Sequence, residues 1–550
     1  MKNLALIAVL LLSVCVLNGA PLKKKVLIVM MDGLRADAVE NFQLPTLLKL
    51  RNGTWKPGYK GAWTDSARTI LDTVAHSAPN HAAIATGVTA AKHKVFRNGD
   101  TSKGNWKEWP SWLQRLVKAQ PEKKVFFVFA WGESGKIDPT PLVPRGFGSD
   151  WVNAVNIPAK LITEKACPDA LMYYINSPDG GGHGSGFYPY GNYYAPASFL
   201  ADKYLGQTLE AIASRKEFAN EDWLILVTAD HGGYSTGHGQ PGGQSNTVPL
   251  IVAGRNIPAG RIAGTPCVTD LPVTALEFLG VDTSKMNLDG KVITSARTVE
   301  TPHKIADGLA LHMIFSRRPV PVNRGSAAVK CTQVGTGVTS SWRRHMLFDT
   351  VLNVSDVKTK EGKFAPQGLV FEGTEKFKAE KGRFFTMTFW LRLPAKQPGD
   401  SVVIGNKLQT EADKVGFFIS AERQTWSRSK VRGLVLNFKD SEGKKAFELG
   451  TFDTEPDRWT FYALTVTPDD ALRFYQGRND GYLYHFVEKC SGTLNNGKPL
   501  YISQPAKGGN KANLEGCMDD LAIWNRALSA SEIKAVFEAG RKGRSLMDLK

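Results

Sequence analysis

The chain has 550 residues, 42% of them hydrophobic and 22% charged, and a formal charge of +17. At about 150 residues per domain that length implies two to four domains, and the composition excludes a disordered chain, a fibre and a polytopic membrane protein. Residues 1–20 hold one Lys and no acid, which leaves +16 without them; so large an excess favours anionic partners such as phosphorylated substrates, polyanionic glycans, nucleic acid or acidic surfaces. Six Cys are too few for a disulfide scaffold, so the core must come from packing.

The chain opens with the basic Met1-Lys2-Asn3. An apolar run from Leu4 to Leu17 follows, broken by Ser13, then the small Gly19 and Ala20 before Pro21. This is the layout of a secretory signal peptide, and the run is short of the ~20 residues a membrane span needs. The protein is therefore expected to be secreted, or periplasmic in a bacterium, with no transmembrane anchor.

Residues 22–300 read as α/β. Apolar runs at 26–31, 125–129, 171–175 and 224–228 are short and rich in branched and aromatic side chains, the pattern of buried parallel strands. Helical patterns at 82–86, 109–119 and 197–215 alternate with them, which predicts a doubly wound, mostly parallel sheet. In such a sheet ligands collect beyond the carboxyl ends of the strands. Residues 301–344, with Arg317-Arg318-Pro319-Val320-Pro321 and Gly325-Ser326, read as a linker. Residues 345–547 carry many short β-prone runs between turn-rich segments, with in/out alternation as in Thr386-Met387-Thr388-Phe389-Trp390-Leu391. That spacing predicts an all-β sandwich, closed by a helix over 529–539 with Ser529 and Glu532 placed for a capping box.

The residues able to do chemistry follow the predicted strands. Asp32 and Gly33 end the first. Asp179-Gly180-Gly181-Gly182-His183 follows the run at 171–175, where three Gly permit a tight fold that brings the carboxylate and imidazole to one ion. Asp230-His231-Gly232 ends the run at 224–228, with His238 seven residues beyond His231. Three Asp and three His make a ligand set suited to zinc or manganese rather than calcium, about enough for two ions. Ser77 precedes Ala78-Pro79-Asn80-His81; with Pro79 as the first helical residue, Ser77 stands just before a helix N-terminus, where free N–H groups favour an anion.

Taken together, Met31-Asp32-Gly33, Ser77-Ala78-Pro79-Asn80-His81, Pro178-Asp179 with His183, and Asp230-His231-Gly232 resemble the alkaline phosphatase superfamily, in particular its nucleotide pyrophosphatase/phosphodiesterase branch. The resemblance implies a phosphoric ester hydrolase with two divalent metal ions, best matched by zinc. Asp179, His183 and His238 would hold one ion and Asp32, Asp230 and His231 the other. Ser77 would be the nucleophile and a metal ligand, forming a phosphoseryl intermediate, and Asn98 would contact the phosphate. Ser77 stands where that branch commonly has Thr, and His238 follows His231 more closely than the branch's last His, with His303 as the alternative ligand. Lys92, Lys94, Arg97 and Lys136 are the cations near these motifs that a phosphate monoester would need, and Trp131 is a candidate leaving-group wall. The main alternative is a sulfatase-like sulfuric ester hydrolase, although sulfatases have Arg where His81 stands. A non-catalytic glycan-binding extracellular protein is the other.

Residues 368–373, 384–392 and 518–528 resemble the laminin-G-like or concanavalin A-like jelly roll. The resemblance implies a glycan or other extracellular ligand for this domain; specific recognition of nucleic acid is not expected. Within it Cys490 and Cys517 are expected to form a disulfide.

Overall fold

The computed structural model describes residues 21–293 except 188–191 and 240–242, and most of 304–549; the longest stretches outside the described residues are 1–20, 294–303, 342–350, 424–431 and 505–512. The expected signal peptide and the alternative ligand His303 fall outside them. No helix among the described residues is long and apolar enough to cross a membrane.

The first layer is an eight-stranded sheet built from β1 (Lys23–Met31), β2 (Lys60–Arg68), β3 (Val125–Phe129), β4 (Arg145–Phe147), β5 (Ala170–Ile175), β6 (Glu221–Thr228), β7 (Thr247–Gly254) and β8 (Gly260–Arg261). Its order is β4-β3-β5-β1-β6-β7-β2-β8. The four expected runs are β1, β3, β5 and β6, and these pair in parallel. β7 runs antiparallel to β6, and β2 antiparallel to β7. The centre, β5-β1-β6, is apolar on both faces, with Val26–Met31 inaccessible to solvent. Helices Ser77–Thr86, Trp112–Ala119 and Asp270–Phe278 pack together as one group, and Pro45–Arg51, Asp150–Ile162 and Tyr194–Ala213 as another.

The second region is all β. One antiparallel sheet runs, in spatial order, through Val322–Asn323, Leu309–Ile314, Gly516–Trp524, Phe385–Arg392, Thr460–Thr467, Ala471–Gly477 and Leu483–Lys489. The facing sheet contains Lys330–Val334, Gly368–Glu372, Leu500–Gln504, Ser401–Gly405, Gly416–Arg423 and Arg432–Lys439. Phe371, Phe389, Ile419, Leu436, Leu464 and Phe474 fill the space between them. The closing helix Ala530–Arg541 has the expected capping box, Ser529 accepting from the Glu532 N–H and Glu532 from the Ser529 N–H.

Two expectations are corrected. The segment 301–344 is not simply a linker: Leu309–Ile314 pairs antiparallel with Gly516–Trp524, and Lys330–Val334 with Gly368–Glu372. The reason is burial: Leu311 and Met313, two apart on one face, enter the sandwich core, while Leu309, beyond a register shift in the pairing, packs against the opposite face. The expected Cys490–Cys517 disulfide is absent. Cys517 lies on the strand Gly516–Trp524 and Cys490 just past Leu483–Lys489, with three strands between them in the same sheet. At ~4.8 Å per strand that is roughly 19 Å, against the ~7 Å Cα limit for a disulfide. Alkylating the denatured, unreduced protein is therefore expected to label both thiols; a mass showing either protected would contradict this arrangement.

Candidate metal and nucleophile site

The strand order sets the site. β5, β1 and β6 are neighbours and parallel, so Asp32, the helix after β5 and the Asp230-His231 pair meet at one sheet edge. Gly33 turns the chain away from β1 at φ 68°, and a Cβ there would lie 2.9 Å from the Asp179 Cα. The Gly-rich segment after β5 is a helix, Ser177–Ser185, not a loop. Asp179 and His183 are therefore one turn apart on one face, the His183 Nε2 3.4 Å from the Asp179 Oδ1. Gly182 is required there, because a Cβ would sit 2.4 Å from the Phe187 ring.

Ser77 begins the helix Ser77–Thr86, with His76 as its N-cap. Ser77 is thus inside the first turn, not before it, and Pro79 is its third residue; this is tolerated because the first turn's N–H groups have no intrahelical acceptor. The Ser77 Oγ is 3.1 Å from the His231 Nε2. The Asn98 Oδ1 accepts the Ala78 N–H at 3.0 Å, which fixes the amide beside the nucleophile.

Two groups of acidic and imidazole donors converge, each within 4.8 Å internally: Asp32, Asp230 and His231, and Asp179, His231 and His238. They share His231. His238, the closely following His, is brought in, its ring stacked on that of His231 at 3.7 Å. His183 borders the second group and is about half exposed.

The chemistry of these donors fits a cation. The Nδ1 atoms of His231, His238 and His183 lie 2.7, 2.9 and 2.9 Å from the carbonyl oxygens of Gly232, Ala75 and Thr236. A carbonyl only accepts, so each Nδ1 carries the proton and each Nε2 is turned to the cluster as a ligand atom. The buried Asp32 Oδ1 is met by the His231 Nε2 at 3.1 Å, and the Asp179 Oδ1 by the His183 and His238 Nε2 atoms at 3.4 and 3.7 Å, so carboxylate and imidazole ligand atoms point at one another, an arrangement that is costly unless a cation or a proton lies between them.

Without a metal the charges compensate one another. Burial works against ionisation of Asp32, but His231 and His81 outweigh it and hold the carboxyl well below its ordinary range. Burial also opposes charge on His231 and His81, yet Asp230 and Asp32 push them up to about 10 and about 9. Asp179 is pushed up to about 8 by burial and the neighbouring Asp32 charge. His238 is lowered to about 3 by burial and by His231.

Three residues given no role in the site from the sequence support this cluster. His81 is fully buried, its Nε2 2.9 Å from the Asp230 Oδ2 and its Nδ1 2.9 Å from the Ser134 hydroxyl. Its signal was its place four residues after Ser77, one turn along the same helix face. The Tyr174 hydroxyl lies 2.6 Å from the Asp32 Oδ2. Asp150 accepts the N–H groups of Asn176 and Ser177, fixing the start of the Asp179 helix. Trp131 packs edge-on against His81, 5.7 Å between centroids.

Residues 26–240 match the family model for type I phosphodiesterase / nucleotide pyrophosphatase. This stretch is phosphodiesterase-like. The match supports a hydrolase. Residues 373–534 match the concanavalin A-like lectin/glucanases superfamily, which makes the second region lectin-like. No curated protein shows detectable similarity to the chain. Among solved structures, murine ectonucleotide pyrophosphatase / phosphodiesterase 5 is 14% identical and covers 47% of this chain and 96% of its own, with a TM-score of 0.36. A 2-O GAG sulfatase is 12% identical over 64% of this chain and 86% of its own, at a TM-score of 0.40. The type G botulinum neurotoxin receptor-binding domain is 12% identical over 42% of this chain and 51% of its own, at 0.29.

The four cations near the phosphodiesterase motifs do not gather at Ser77. The Lys92 Nζ is 2.6 Å from Asp289 and from the Asn287 carbonyl, Arg97 pairs with Asp100 and Lys136 with Glu133. Among the described residues, none of Lys92, Lys94, Arg97 and Lys136 has a polar contact with Ser77, Asn98 or the clustered Asp and His side chains.

Proposed function

We propose that the protein is an exported, metal-dependent phosphodiesterase that acts through a phosphoseryl intermediate on Ser77. The carrying observation is the Ser77 Oγ, 3.1 Å from the His231 Nε2 at the junction of two Asp/His groups that share that imidazole. Zinc suits the donors: one ion on Asp179, His183 and His238, a second on Asp32, Asp230 and His231. Bound there, the two ions would supply Lewis-acid stabilisation of the entering and leaving oxygens of an in-line displacement. The signal-peptide pattern supports export.

The chain's own residues do the rest. The Ser77 hydroxyl gives up its proton to solvent and its Oγ attacks phosphorus, the new P–O bond forming as the bond to the leaving group breaks, and the departing alkoxide takes up a proton from solvent. The Asn98 Nδ2, oriented by the Ala78 N–H on its Oδ1, and the Ser77 N–H hold the nonbridging oxygens, where negative charge builds. Water then cleaves the phosphoserine and restores the hydroxyl. A diester carries one charge less than a monoester dianion, which accords with Lys92, Arg97 and Lys136 being engaged elsewhere.

The test is a comparison of bis-p-nitrophenyl phosphate, p-nitrophenyl phosphate and p-nitrophenyl sulfate with the zinc-loaded protein. The diester is expected to have the highest kcat/KM and the sulfate the lowest. Preference for the sulfate would replace this reading with the sulfuric ester hydrolase.

A further inference from the structure

The outer edge of the sandwich strand Leu483–Lys489 does not face solvent. An unpaired edge exposes alternate N–H and C=O groups, and here side chains of the N-terminal α/β region meet them. The Leu483 N–H and C=O exchange hydrogen bonds with the Asn41 amide at 3.2 and 3.3 Å. The His485 N–H donates to the Asp37 Oδ2 at 3.2 Å. The Val487 N–H donates to the Thr247 hydroxyl at 3.4 Å, and the Val487 carbonyl accepts from Arg68. Between these contacts Phe486 lies against Gly243, where a Cβ would come within 2.5 Å of its ring.

One of these contacts leads directly to the candidate site. Asp37 holds Arg35 in a two-point pair, Nε to Oδ1 at 2.9 Å and Nη2 to Oδ2 at 2.7 Å, with both residues buried. The Arg35 Nη1 donates to the Gly233 carbonyl at 2.8 Å and to the Gln244 Oε1 at 3.0 Å. Gly233 is two residues past His231, and the Gly232 N–H is tied to the Ser245 carbonyl at 2.8 Å. On its other side the Arg35 N–H donates to the Tyr194 hydroxyl, which donates to the Gly33 carbonyl, both at 2.9 Å. The Gly33 N–H in turn reaches the Asp230 Oδ1 at 3.1 Å. Arg35 thus joins the turns after β1 and β6, which carry Asp32 and Asp230-His231, and Asp37 joins Arg35 to the sandwich edge.

We propose that Arg35 and Asp37 are positioning residues through which the C-terminal sandwich braces the segment bearing His231 and the Gly243–Asn246 turn. The lectin-like region is then a structural part of the active centre, whatever it also binds. A rigid two-point guanidinium–carboxylate pair suits this task because it fixes direction as well as distance, and a reacting group displaced by ~1 Å can lose about 100-fold in rate.

The inference rests on the hydrolase reading above, so its test in the full-length protein has two readouts. Asp37→Asn keeps an acceptor for the His485 N–H but removes the charge opposite Arg35. Asn41→Ala removes another contact of the same strand that has no link to Gly233. Asp37→Asn is expected to lower kcat per folded, metal-loaded site by about 10- to 100-fold with KM changed less than about threefold, while Asn41→Ala leaves kcat unchanged. Hydrogen exchange, which needs no activity, is expected to quicken across 231–246 in Asp37→Asn and only around 483 in Asn41→Ala. Unchanged exchange across 231–246 in Asp37→Asn, or equal loss of kcat in both variants, would overturn the brace. Inactivity of the wild-type protein on every ester, with the exchange pattern as expected, would overturn the hydrolase reading and leave the brace standing.

Discussion

Ser77→Ala lowers turnover of the preferred ester by at least ~1,000-fold, equivalent to about 4 kcal/mol of transition-state free energy. The argument is local. Ser77 is 5% exposed at the start of its helix, where no side-chain cap depends on its hydroxyl. Its only described side-chain hydrogen bond is to the His231 Nε2. Alanine is the better helix former, so Tm should move by no more than a few degrees while the nucleophile is lost. Acid-quenched wild-type protein is expected to retain on Ser77 the phosphoryl group with its remaining ester substituent, and the variant none. Asn98 and the N–H of residue 77 remain, so the variant should still bind the ester with near wild-type affinity by calorimetry. Retention of more than about a tenth of wild-type turnover would remove Ser77 from the chemistry.

How much of this was legible in the sequence follows from what each element buries. β1, β3, β5 and β6 could be read because strands covered on both faces become unbroken apolar runs. β2 could not: Lys60–Arg68 carries Lys, Thr, Asp, Ser and Arg, and its buried Thr64 and Ser66 hydroxyls are paired with each other at 2.7 Å. The convergence of Asp32, Asp179, Asp230 and His231 was legible because parallel strands share a carboxyl edge, and each motif stood directly after one. His81 and Tyr174 were given no role in the site because neither ends a strand; they reach the cluster from a helix interior and from within β5. The disulfide failed for a topological reason, since sequence separation carries no information about how many strands later intervene between two positions in a sheet. Nor does any local pattern announce the Arg35–Asp37 bridge to His485, which joins residues some 450 apart in the chain.

Chelation is expected to abolish turnover and to leave a protein whose stability falls as the pH rises. The loss of activity should exceed ~1,000-fold, since stabilising both oxygens of the displacement is the task two cations perform best. The stability effect comes from the protons that take the cations' place. In the metal-free cluster, although burial opposes it, Asp230 and Asp32 raise His231 and His81 to about 10 and about 9. A group raised on folding contributes stability that is complete below its unfolded value, ~6.5 for His, and is lost as the pH climbs through the folded one. Asp179, pushed up to about 8 by burial and Asp32, acts with the same sign, because above that pH a buried carboxylate must ionise. Acid works the other way through Asp32: burial opposes its ionisation, but His231 and His81 hold it well below its ordinary range, so its contribution is lost as the pH falls below ~3.9. Between pH 7 and 10 the Tm of chelated protein should therefore fall by several degrees, while that of zinc-loaded protein stays nearly level. Zinc must displace the proton on His231 and that on Asp179, so its affinity should rise over the same interval. Calorimetric titrations in two buffers of different ionisation heat should show proton release near pH 7.5. A Tm of the chelated protein that is flat or rising from pH 7 to 10 would contradict the protonated cluster, and turnover indifferent to chelation would contradict the metal site itself.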